Sequence, residues 1–557
     1  MSTDVMKRYL ADGAEMLRRM ETESRRANAC SRELLMQLLR DNADTEYGRK
    51  YGFREIRSYE EYAARVPFSG YEDYEPYIER MLCFNQKNLI TADEVVYYAH
   101  TSGTTGASKM IPCTQKTLDM QLNGILKRAL ALFDASCREK GEAGMPPYKG
   151  ITLMESRIRY TPHGVAHGAI SEMLYVPGES SAYNALPEEL AYPAADFDRR
   201  HLKALFALRE RRLSFMMCTF APFLYDMLFY LRQNWELLCA DLEEGRINGD
   251  ISMDPALRKR LEAQMTPDPE RASQIRAIMA EYADGAFVPL LWPDMKLIAA
   301  VGTATFAPYI EKLRQMIGPA IAIDYLGYVC SEATIATARR ENAGEYLLLP
   351  WGGFYEFIPV EEGADEKPLL MDQLEVGKEY ELILTNLSGF YRYRLGDVIR
   401  VVGWHNECPM IVFSYRKSQL ISMYGEKVTE TVLHNAVDAA AKESGTALLE
   451  YSVYADVNTD PGRYIVLLES DREIAPEEWP RYSGILNRRL CEAHESYRKK
   501  IEQNIMRPLE VRFVQPQTYA LYRDLKVMDG ASPNQIKPIH VITDGKLKSF
   551  FFGLLQN

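Results

Sequence analysis

The stretch on which the fold assignment rests is VVYYAHTSGTTGASKMIP, residues 95–112. Its first four residues are β-branched or aromatic, which favours a strand. The run that follows is rich in Gly, Ser and Thr. Glycines let backbone N–H groups converge on an anion because no Cβ is in the way, and hydroxyl groups add further donors. The stretch therefore fits a strand leading into a phosphate-binding loop, although an ordinary Ser/Thr/Gly surface turn gives the same pattern.

This loop is not a Walker A motif, because Ala-Ser-Lys-Met stands where that motif needs Gly-Lys-Ser or Gly-Lys-Thr. Around it, between about residues 95 and 400, short apolar runs alternate with helical stretches such as 202–213 and 221–246. The alternation is typical of α/β layering. The strand-like runs are VVYYAH, ITLM, LSFMMCTF, MKLIAAVG and AIAIDYLGYV. Before them, residues 5–42 have apolar groups at helical spacing, which predicts two amphipathic helices.

The chain changes character near residue 415. Residues 379–403 predict two strands around a Ser-Gly turn, and strand character then gives way to a helix that opens near Thr429. Beyond it, one helical stretch at 478–504 lies among the strand candidates LEYSVYADV, RYIVLLES and LEVRFVQP. We therefore expect a large domain over residues 1–415 and a small α+β domain over 416–557.

Composition limits the classes of function. The chain has 557 residues, 47% of them hydrophobic, and a formal net charge of -12. An acidic chain of this kind does not favour a nucleic-acid partner, because binding to phosphate backbones needs an excess of basic groups. The nine cysteines include no Cys-x-x-Cys pair, so neither a disulfide framework nor a thiolate zinc site is indicated. The sequence shows no apolar signal core and no run of membrane-spanning length, which predicts a cytoplasmic protein without a membrane partner.

Three motifs occur in an order and spacing that resemble the GH3 acyl-acid amido synthetases, a branch of the adenylate-forming superfamily. They are TSGTTGASKMIP at 101–112, YVCSEATIA at 328–336 and YRYRLGDVIRVVG at 391–403. The resemblance covers essentially the whole chain. It implies an α/β fold with a large multi-layer N-terminal domain that binds ATP and an acyl acid, and a smaller, mobile α+β C-terminal domain.

The resemblance also implies ATP and Mg²⁺ as cofactors. A tyrosine face can stack on adenine, and a carboxylate beside a triphosphate is an oxygen ligand that Mg²⁺ prefers. By this likeness Tyr328 contacts adenine and Glu332 holds the metal, although a core tyrosine followed by a capping Ser-Glu pair gives the same residues. The implied nucleotide-binding positions are Ser102, Gly103, Thr104, Thr105, Thr303, Tyr328, Ser331, Glu332, Asp397 and Arg416.

Other roles come from the same resemblance. An ionised Asp397 can accept hydrogen bonds from both ribose hydroxyls, and Arg416 suits a bidentate phosphate contact. Lys417 and Ser418 fall at the hinge between the domains, and Lys537 at the catalytic lysine that neutralises charge developing between carboxylate and α-phosphate. Without the resemblance, these residues would be interpreted as an ordinary turn Asp, exposed basic residues between domains and a solvated surface lysine.

The acyl pocket is expected within residues 214–228, where Met217 and Phe220 suit an apolar or aromatic ring, although a helix core gives the same composition. The chain departs from the family pattern at Thr303-Ala304-Thr305, where members often have Thr-Gly-Ala. His163 and His167 are four residues apart, but no Glu follows the first histidine as in His-Glu-x-x-His. A zinc site is therefore not expected there.

The resulting hypothesis is ATP-dependent adenylation of a small carboxylic acid, followed by transfer of the acyl group to the amine of an amino acid. No carrier protein is expected, because the sequence has no Gly-x-Asp-Ser attachment site for phosphopantetheine. One alternative is an acyl-CoA ligase that uses coenzyme A as the acceptor. Another is a non-catalytic small-molecule binding protein of the same fold. Retention of Glu332, Asp397, Arg416 and Lys537 together favours the enzyme.

Overall fold

The computed structural model describes residues 2–556 apart from several segments. Those segments are 101–108, 155–157, 175–182, 192–198, 304–305, 361–366, 418–420, 425, 427, 529–535, 537 and 543–544. Six of the predicted site residues lie outside the described residues, namely Ser102, Gly103, Thr104, Thr105, Ser418 and Lys537. Their roles stay predictions.

The described residues form two compact units. The large unit takes in those of Met1–Thr101, Met110–Leu395 and Ile399–Phe413, and the small unit takes in those of Ser102–Lys109, Gly396–Val398 and Ser414–Asn557. Each unit combines helices with sheets, so the predicted mixed α/β class with a large N-terminal and a smaller C-terminal part is confirmed.

The large unit begins with two helices, Ser2–Ser24 and Ala27–Asp41, as the apolar spacing predicted. The further α-helices are Glu46–Lys50, Tyr59–Arg65, Glu75–Phe84, Gln115–Leu122, Arg128–Glu139, Glu188–Ala191, Arg199–Arg209, Ala221–Glu244, Pro255–Glu262, Pro269–Tyr282, Val288–Leu291 and Ala307–Ile317. A π-helical turn spans Asn123–Lys127, and 3₁₀ turns span Phe53–Glu55, Tyr71–Asp73, Ile170–Leu174 and Met371–Gln373. Among the described residues of the whole chain, no helix has the length and apolar character needed to cross a membrane.

The strands of this part of the chain include the five predicted apolar runs. They are β1 Val95–His100, β2 Met110–Thr114, β3 Ile151–Thr152, β4 Arg159–Tyr160, β5 Ala166–Ala169, β6 Phe215–Phe220, β7 Leu297–Val301, β8 Ala322–Asp324, β9 Gly327–Val329, β10 Thr334–Ala338, β11 Tyr346–Leu348, β12 Phe354–Pro359, β13 Glu379–Thr385, β14 Tyr393–His405 and β15 Cys408–Arg416. The two strands predicted around the Ser-Gly turn are therefore confirmed as β13 and β14.

These strands form three sheets. The order β3-β6-β7-β8 is parallel throughout, and its core is closed by the long helix Ala221–Glu244 and the helices that pack on it. A second sheet has the order β2-β1-β5-β4, with β1 antiparallel to β2 and parallel to β5. The third has the order β12-β13-β14-β15-β11-β10-β9.

A buried ion pair links the helix Arg128–Glu139 to the parallel sheet. Arg128 and Asp324 are both fully buried, and the guanidinium donates to both carboxylate oxygens, with 2.8 Å from Nη2 to Oδ1. Arg128 also donates to the carbonyl of Leu326 at 2.5 Å, and the amide of Leu326 donates to Asp324 at 2.6 Å. Leu326 has a φ of +61°, a backbone conformation uncommon for residues other than glycine. The pair therefore fixes the turn between β8 and β9.

A hydroxyl group ties this turn to the π-helical segment. Thr337 Oγ1 lies 2.9 Å from the carbonyl of Leu326 and 2.9 Å from the carbonyl of Gly124. Gly124 belongs to the π-turn, in which carbonyls accept from the amide five residues on instead of four. Arg128 Nε donates to the same carbonyl at 3.3 Å. The turn before β9 is thus held by side chains from two other elements.

The small unit has one four-stranded sheet. Its strands are β16 Leu448–Asp456, β17 Arg463–Ser470, β18 Glu510–Phe513 and β19 Val541–Ile542, in the order β18-β17-β16-β19. Its α-helices are Glu430–Ser444, Trp479–Ala493, Glu495–Glu502, Thr518–Met528 and Gly545–Phe552, and a 3₁₀ turn spans Pro476–Glu478. The predicted helix start is confirmed, since Thr429 caps the first helix by accepting from the amide of Val432.

The expectation of a single helical stretch at 478–504 was wrong. Extended backbone at His494 breaks that stretch into two helices, with φ of -141° and ψ of 102°. Two further helices follow, Thr518–Met528 and Gly545–Phe552. The last of them ends in three consecutive phenylalanines, a composition that favours a strand when taken alone, so tertiary packing overrides local propensity here.

A buried imidazole, that of His540, lies inside the small unit, three residues beyond Lys537 in the sequence. His540 Nδ1 lies 2.5 Å from Glu430 Oε1, and its Nε2 lies 3.7 Å from Glu450 Oε2. The imidazole also stacks on Tyr451, with ring centroids 4.2 Å apart. Burial disfavours the charged form, but the hydrogen bonds and charges of the two carboxylates outweigh it and raise the pKa of His540 to about 9.

This pKa predicts a pH-dependent stability. The folded-state pKa of His540 lies above the unfolded value of about 6.5. Protonated His540 therefore stabilises the folded state fully below a pH of about 6.5, and this stabilisation disappears as pH rises through about 9. The shift is equivalent to about 3 kcal/mol. Urea unfolding of the small unit, followed from pH 6 to pH 10, should therefore show that the wild-type protein loses stability as pH rises. In His540→Gln this pH-dependent loss should be absent.

The control is His434→Gln. The pKa of His434 is lowered by burial, so that side chain is neutral over the same range and its replacement should leave the slope unchanged. A wild-type protein whose stability relative to His540→Gln stayed constant between pH 7 and pH 10 would contradict a charged His540.

Candidate active site

The strand predicted before the phosphate loop is β1, and it ends at His100. It pairs antiparallel with β2, so that His100 lies opposite Met110. The residues on either side of the predicted phosphate loop, His100 and Met110, are therefore neighbours in the sheet. The tyrosine Tyr71 lies at the same end, where its hydroxyl accepts from the amide of Met110 at 3.0 Å.

The second motif surrounds the connection between β9 and β10 in the large unit. Tyr328 lies on β9, with its ring centroid 5.8 Å from that of Phe413. Ser331 and Glu332 lie in the connection, and the Glu332 side chain is buried, with 6% exposed. The structure thus places Tyr328 on β9 and the other two motif residues, Ser331 and Glu332, in the connection that follows it.

Three side chains from other elements hold this connection by its carbonyl groups. Gln121 Nε2 donates to the carbonyl of Cys330 at 3.1 Å, and the thiol of Cys113 contacts the carbonyl of Ser331 at 3.9 Å. Asn386 Nδ2 donates to the carbonyl of Glu332 at 3.0 Å. Because each donor is buried and comes from a different element, the backbone that carries Glu332 is held in place on three sides.

Asn386 also organises its own turn. Its side-chain oxygen accepts from the amides of Ser388 and Phe390, at 3.0 and 2.8 Å. One buried amide therefore links the turn after β13 to the loop of the second motif. From the sequence, this turn is predicted only as a Ser-Gly connection. The signal for the additional contacts is Asn386, two residues before Ser388, because Asn side chains bond to the backbone two residues on.

The third motif brings Asp397 and Arg416 together. The Arg416 guanidinium donates two hydrogen bonds to the Asp397 carboxylate, at 2.5 Å from Nε to Oδ1 and 3.0 Å from Nη2 to Oδ2. The Asp397 side chain is 1% exposed and that of Arg416 34%. Lys417 follows Arg416 directly in the chain.

The remaining predicted residues lie in different surroundings. Thr303 follows β7, and its hydroxyl lies 3.0 Å from that of Tyr346. Met217 is fully buried in a hydrophobic cluster of the large unit. Phe220 is half-buried, and its ring lies 4.8 Å from that of Phe306. The structure therefore places Phe220, but not Met217, where part of the side chain is open.

Nothing in the sequence indicates that two histidines on neighbouring strands, His100 and His167, form a pair. His100 Nε2 and His167 Nδ1 are 2.8 Å apart, although the residues are 67 positions apart in the chain. His163, which the sequence placed with His167, instead bonds the carbonyl of Cys83 at 3.0 Å. Burial and the charges of His167 and Arg159 lower the pKa of His100 to about 4, so the imidazole is neutral at pH 7.

Three family domains match this chain in order. The GH3 family N-terminal domain matches residues 16–321, the GH3 central domain 346–416 and the GH3 C-terminal domain 431–546. These ranges cover most of the 557 residues. The second motif lies between the first two ranges, and Arg416 lies at the end of the central domain.

Similar proteins match over nearly their whole length. A probable indole-3-acetic acid-amido synthetase of Arabidopsis thaliana, GH3.1, is 28% identical over 97% of this chain and 95% of its own. A jasmonoyl-L-amino acid synthetase of Nicotiana attenuata, JAR4, is 27% identical over 94% of this chain and 93% of its own. A solved structure of the GH3.15 acyl acid amido synthetase has a TM-score of 0.82, at 22% identity, over 97% of this chain and 96% of that one. The last likeness shows the shared fold.

Because the family resemblance assigns nucleotide binding to the loop of Glu332, the contacts of Asn386 predict a selective effect on that binding. Asn386→Ala removes the donor to the Glu332 carbonyl and the acceptor for two turn amides, so the loop that carries Glu332 loses one of its three supports. We expect the affinity for MgATP, measured by titration calorimetry, to fall by about ten-fold, equivalent to about 1.4 kcal/mol.

Asn184→Ala is the matched control. Asn184 is also buried and accepts from two backbone amides, those of Thr152 and Leu186, at 3.1 and 3.2 Å. Each variant should lose about 1–3 kcal/mol of stability because buried amides are left unpaired. Only Asn386→Ala should weaken MgATP binding, and an equal loss of affinity in both variants would refute the selective role.

Proposed function

This chain belongs to the GH3 family, and from that premise we propose that it is an acyl-acid amido synthetase. It uses ATP to activate a small carboxylic acid as an acyl adenylate and transfers the acyl group to the amine of an amino acid. One observation carries this proposal. The three GH3 domains match in order along the chain, which also aligns with amido synthetases over almost their full length.

The nucleotide is proposed to contact residues of all three motifs. Ser102, Gly103, Thr104 and Thr105 take the phosphates, Tyr328 and Thr303 lie at the base, and Asp397 accepts from the ribose hydroxyls. The bidentate contact with Arg416 supports this role for Asp397, because it fixes the orientation of a buried carboxylate. Arg416 is partly exposed, which suits an additional contact with a phosphate.

Magnesium is proposed to bind through Glu332. Among the described residues, no group of three or more His, Cys, Asp or Glu side chains is placed to hold a metal. A magnesium ion bound with a triphosphate needs only one or two protein carboxylates, because phosphate oxygens and waters complete its shell. Glu332 fits this requirement, since its backbone is held by three side chains. The bound ion would neutralise phosphate charge.

Lys537 is the proposed catalytic residue of the first step. Its ammonium stabilises negative charge as the carboxylate oxygen attacks the α-phosphorus and pyrophosphate leaves. In the second step the amine attacks the acyl carbon, and AMP leaves with the oxygen that came from the acid. We place the domain boundary after residue 415, with Lys417 and Ser418 at the hinge, and the division of the compact units at Ser414 supports it.

The acid is proposed to be small and largely apolar, with a ring or a short aliphatic chain. The relatives in the comparison are named for indole-3-acetic acid and for jasmonoyl conjugates, both ring-bearing acids. Phe220 supports this class, because its half-buried ring lies beside the rings of Phe306 and Phe223, at 4.8 and 6.1 Å. Met217, on the same strand, lies in the core. We propose a cytoplasmic location, as the sequence predicts.

A screen for pyrophosphate release tests the proposed reaction. The protein is incubated with MgATP and a panel of aromatic, aliphatic and oxo acids, with and without amino acids and, separately, with coenzyme A. We expect release that amino acids increase, together with an amide product detected by mass spectrometry. Stimulation by coenzyme A alone would show a thioester-forming ligase, and binding of ATP without turnover on any acid would refute the synthetase.

Lys537→Ala tests the assignment of the catalytic lysine. We expect the rate of acyl-adenylate formation to fall by at least a hundred-fold, within the range of about 10²–10³ seen when one charge-stabilising donor is removed. The dissociation constant for MgATP should change little. Lys526→Ala, a lysine of the helix Thr518–Met528, is the control that should keep full activity. A Lys537→Ala enzyme with the wild-type rate would remove this residue from the mechanism.

A further inference from the structure

The His100–His167 pair has the geometry of a proton-sharing unit. The ring planes differ by 4° and the centroids are 4.8 Å apart, while the two nearest nitrogens are only 2.8 Å apart. This nitrogen distance is shorter than the spacing of two stacked aromatic rings, so the imidazoles lie edge to edge. Such an arrangement directs an N–H bond of one ring at the lone pair of the other.

The pair lies on two neighbouring parallel strands. His100 is the last residue of β1, and His167 lies on β5 in register with Tyr98, two residues before His100. His100 immediately precedes the segment 101–112 to which the phosphates are assigned. Arg159 on β4 pairs in register with His167, and its charge acts on both imidazoles. Three nitrogen-rich side chains thus lie on neighbouring strands of the sheet β2-β1-β5-β4, with His100 at the end of β1.

The same end of the sheet lies near the proposed metal ligand. Met110 is opposite His100, and its amide donates to the hydroxyl of Tyr71. Burial raises the pKa of Tyr71, and the charge of Glu332 is among those that add to this effect, so Glu332 is within electrostatic range of that hydroxyl. Tyr71, which bonds the residue opposite His100, thus senses the charge of Glu332 within the large unit.

Protonation changes what the pair can bind. A neutral pair holds one hydrogen in the bridge between His100 Nε2 and His167 Nδ1, and one hydrogen on a single outer nitrogen. Adding one proton places a hydrogen on both outer nitrogens, His100 Nδ1 and His167 Nε2, and gives the pair a positive charge. A polyanion close to the pair favours this form, because an opposite charge stabilises the charged imidazole.

We propose that His100, His167 and Arg159 form a binding site for the pyrophosphate end of the nucleotide, and that the imidazole pair takes up one proton from solvent when this ligand binds. The site rests on the proposed function, since it would stabilise the leaving pyrophosphate of the adenylation step. Both imidazoles are half-buried, which limits competition from water while leaving room for a ligand. The proton comes from solvent and returns to it when pyrophosphate leaves.

Titration calorimetry of the wild-type protein tests this site without any variant. Inorganic pyrophosphate with magnesium is titrated in buffers of different ionisation enthalpy at pH 7, and AMP is titrated as the second ligand. We expect uptake of up to one proton with pyrophosphate and none with AMP. The pyrophosphate affinity should increase as pH falls from 8 to 6, because protonation of the pair is linked to binding.

Two variants test whether the proton is taken up by His100 and His167. His100→Gln and His167→Asn each keep a polar atom near the bridging position and remove one titratable ring and one outer nitrogen. Each should lower the pyrophosphate affinity by about ten-fold, because each variant loses one charge-assisted hydrogen bond to the ligand. Each should also abolish the proton uptake and leave the AMP affinity within about two-fold. His163→Gln is the matched control and should behave as wild type, because His163 bonds a carbonyl outside the pair.

The outcomes separate this site from the proposed reaction. Pyrophosphate binding without proton uptake by the wild-type protein, or the same proton uptake in His100→Gln and His167→Asn, would overturn the proposal. AMP binding and the thermal melting curve show whether each variant is folded. A protein that takes up a proton with pyrophosphate but adenylates no acid would retain this site and lose the proposed function.

Discussion

The buried ion pair between Arg128 and Asp324 is the constraint on which the placement of the candidate active site depends. Both side chains are removed from water, and each therefore needs the other, since an unpaired buried charge costs about 3–5 kcal/mol. Their additional bonds to the backbone of Leu326 fix a left-handed residue directly before β9. Tyr328 is two residues further on. The buried ion pair therefore fixes the backbone directly before β9, the strand that carries Tyr328 of the second motif.

From this turn onward, the site is held by donors that come from distant parts of the chain. Gln121, Cys113 and Asn386 each contact one carbonyl of the connection that carries Glu332. Such a loop has little freedom to reorganise, so a charge that develops near Glu332 meets groups already in position. In the small unit, the Arg416 guanidinium fixes Asp397 in a similar way. The structure thus fixes the backbone that carries Glu332 in the large unit and the carboxylate of Asp397 in the small unit.

The sequence predicted those elements of the fold that depend on local residue patterns. The two N-terminal helices, the five apolar strand runs and the pair β13–β14 follow from periodicity, and the motif residues Tyr328, Ser331 and Glu332 do lie together. It could not predict contacts that depend on tertiary packing, such as that of Asn386 with Glu332. His167 illustrates the difference, because its sequence neighbour His163 bonds a carbonyl elsewhere while its partner His100 arrives on a separate strand. The aromatic end of the last helix also shows packing overriding propensity.

The central claim is that the carboxylate of an acid attacks the α-phosphorus of ATP. The most direct test is to supply an accepted acid labelled with ¹⁸O in both carboxylate oxygens and to analyse the products by mass spectrometry. Our account predicts that one labelled oxygen appears in AMP and the other remains in the amide, because the attacking oxygen leaves with AMP. Label in inorganic phosphate, with ADP as the nucleotide product, would show an acyl phosphate and contradict the account.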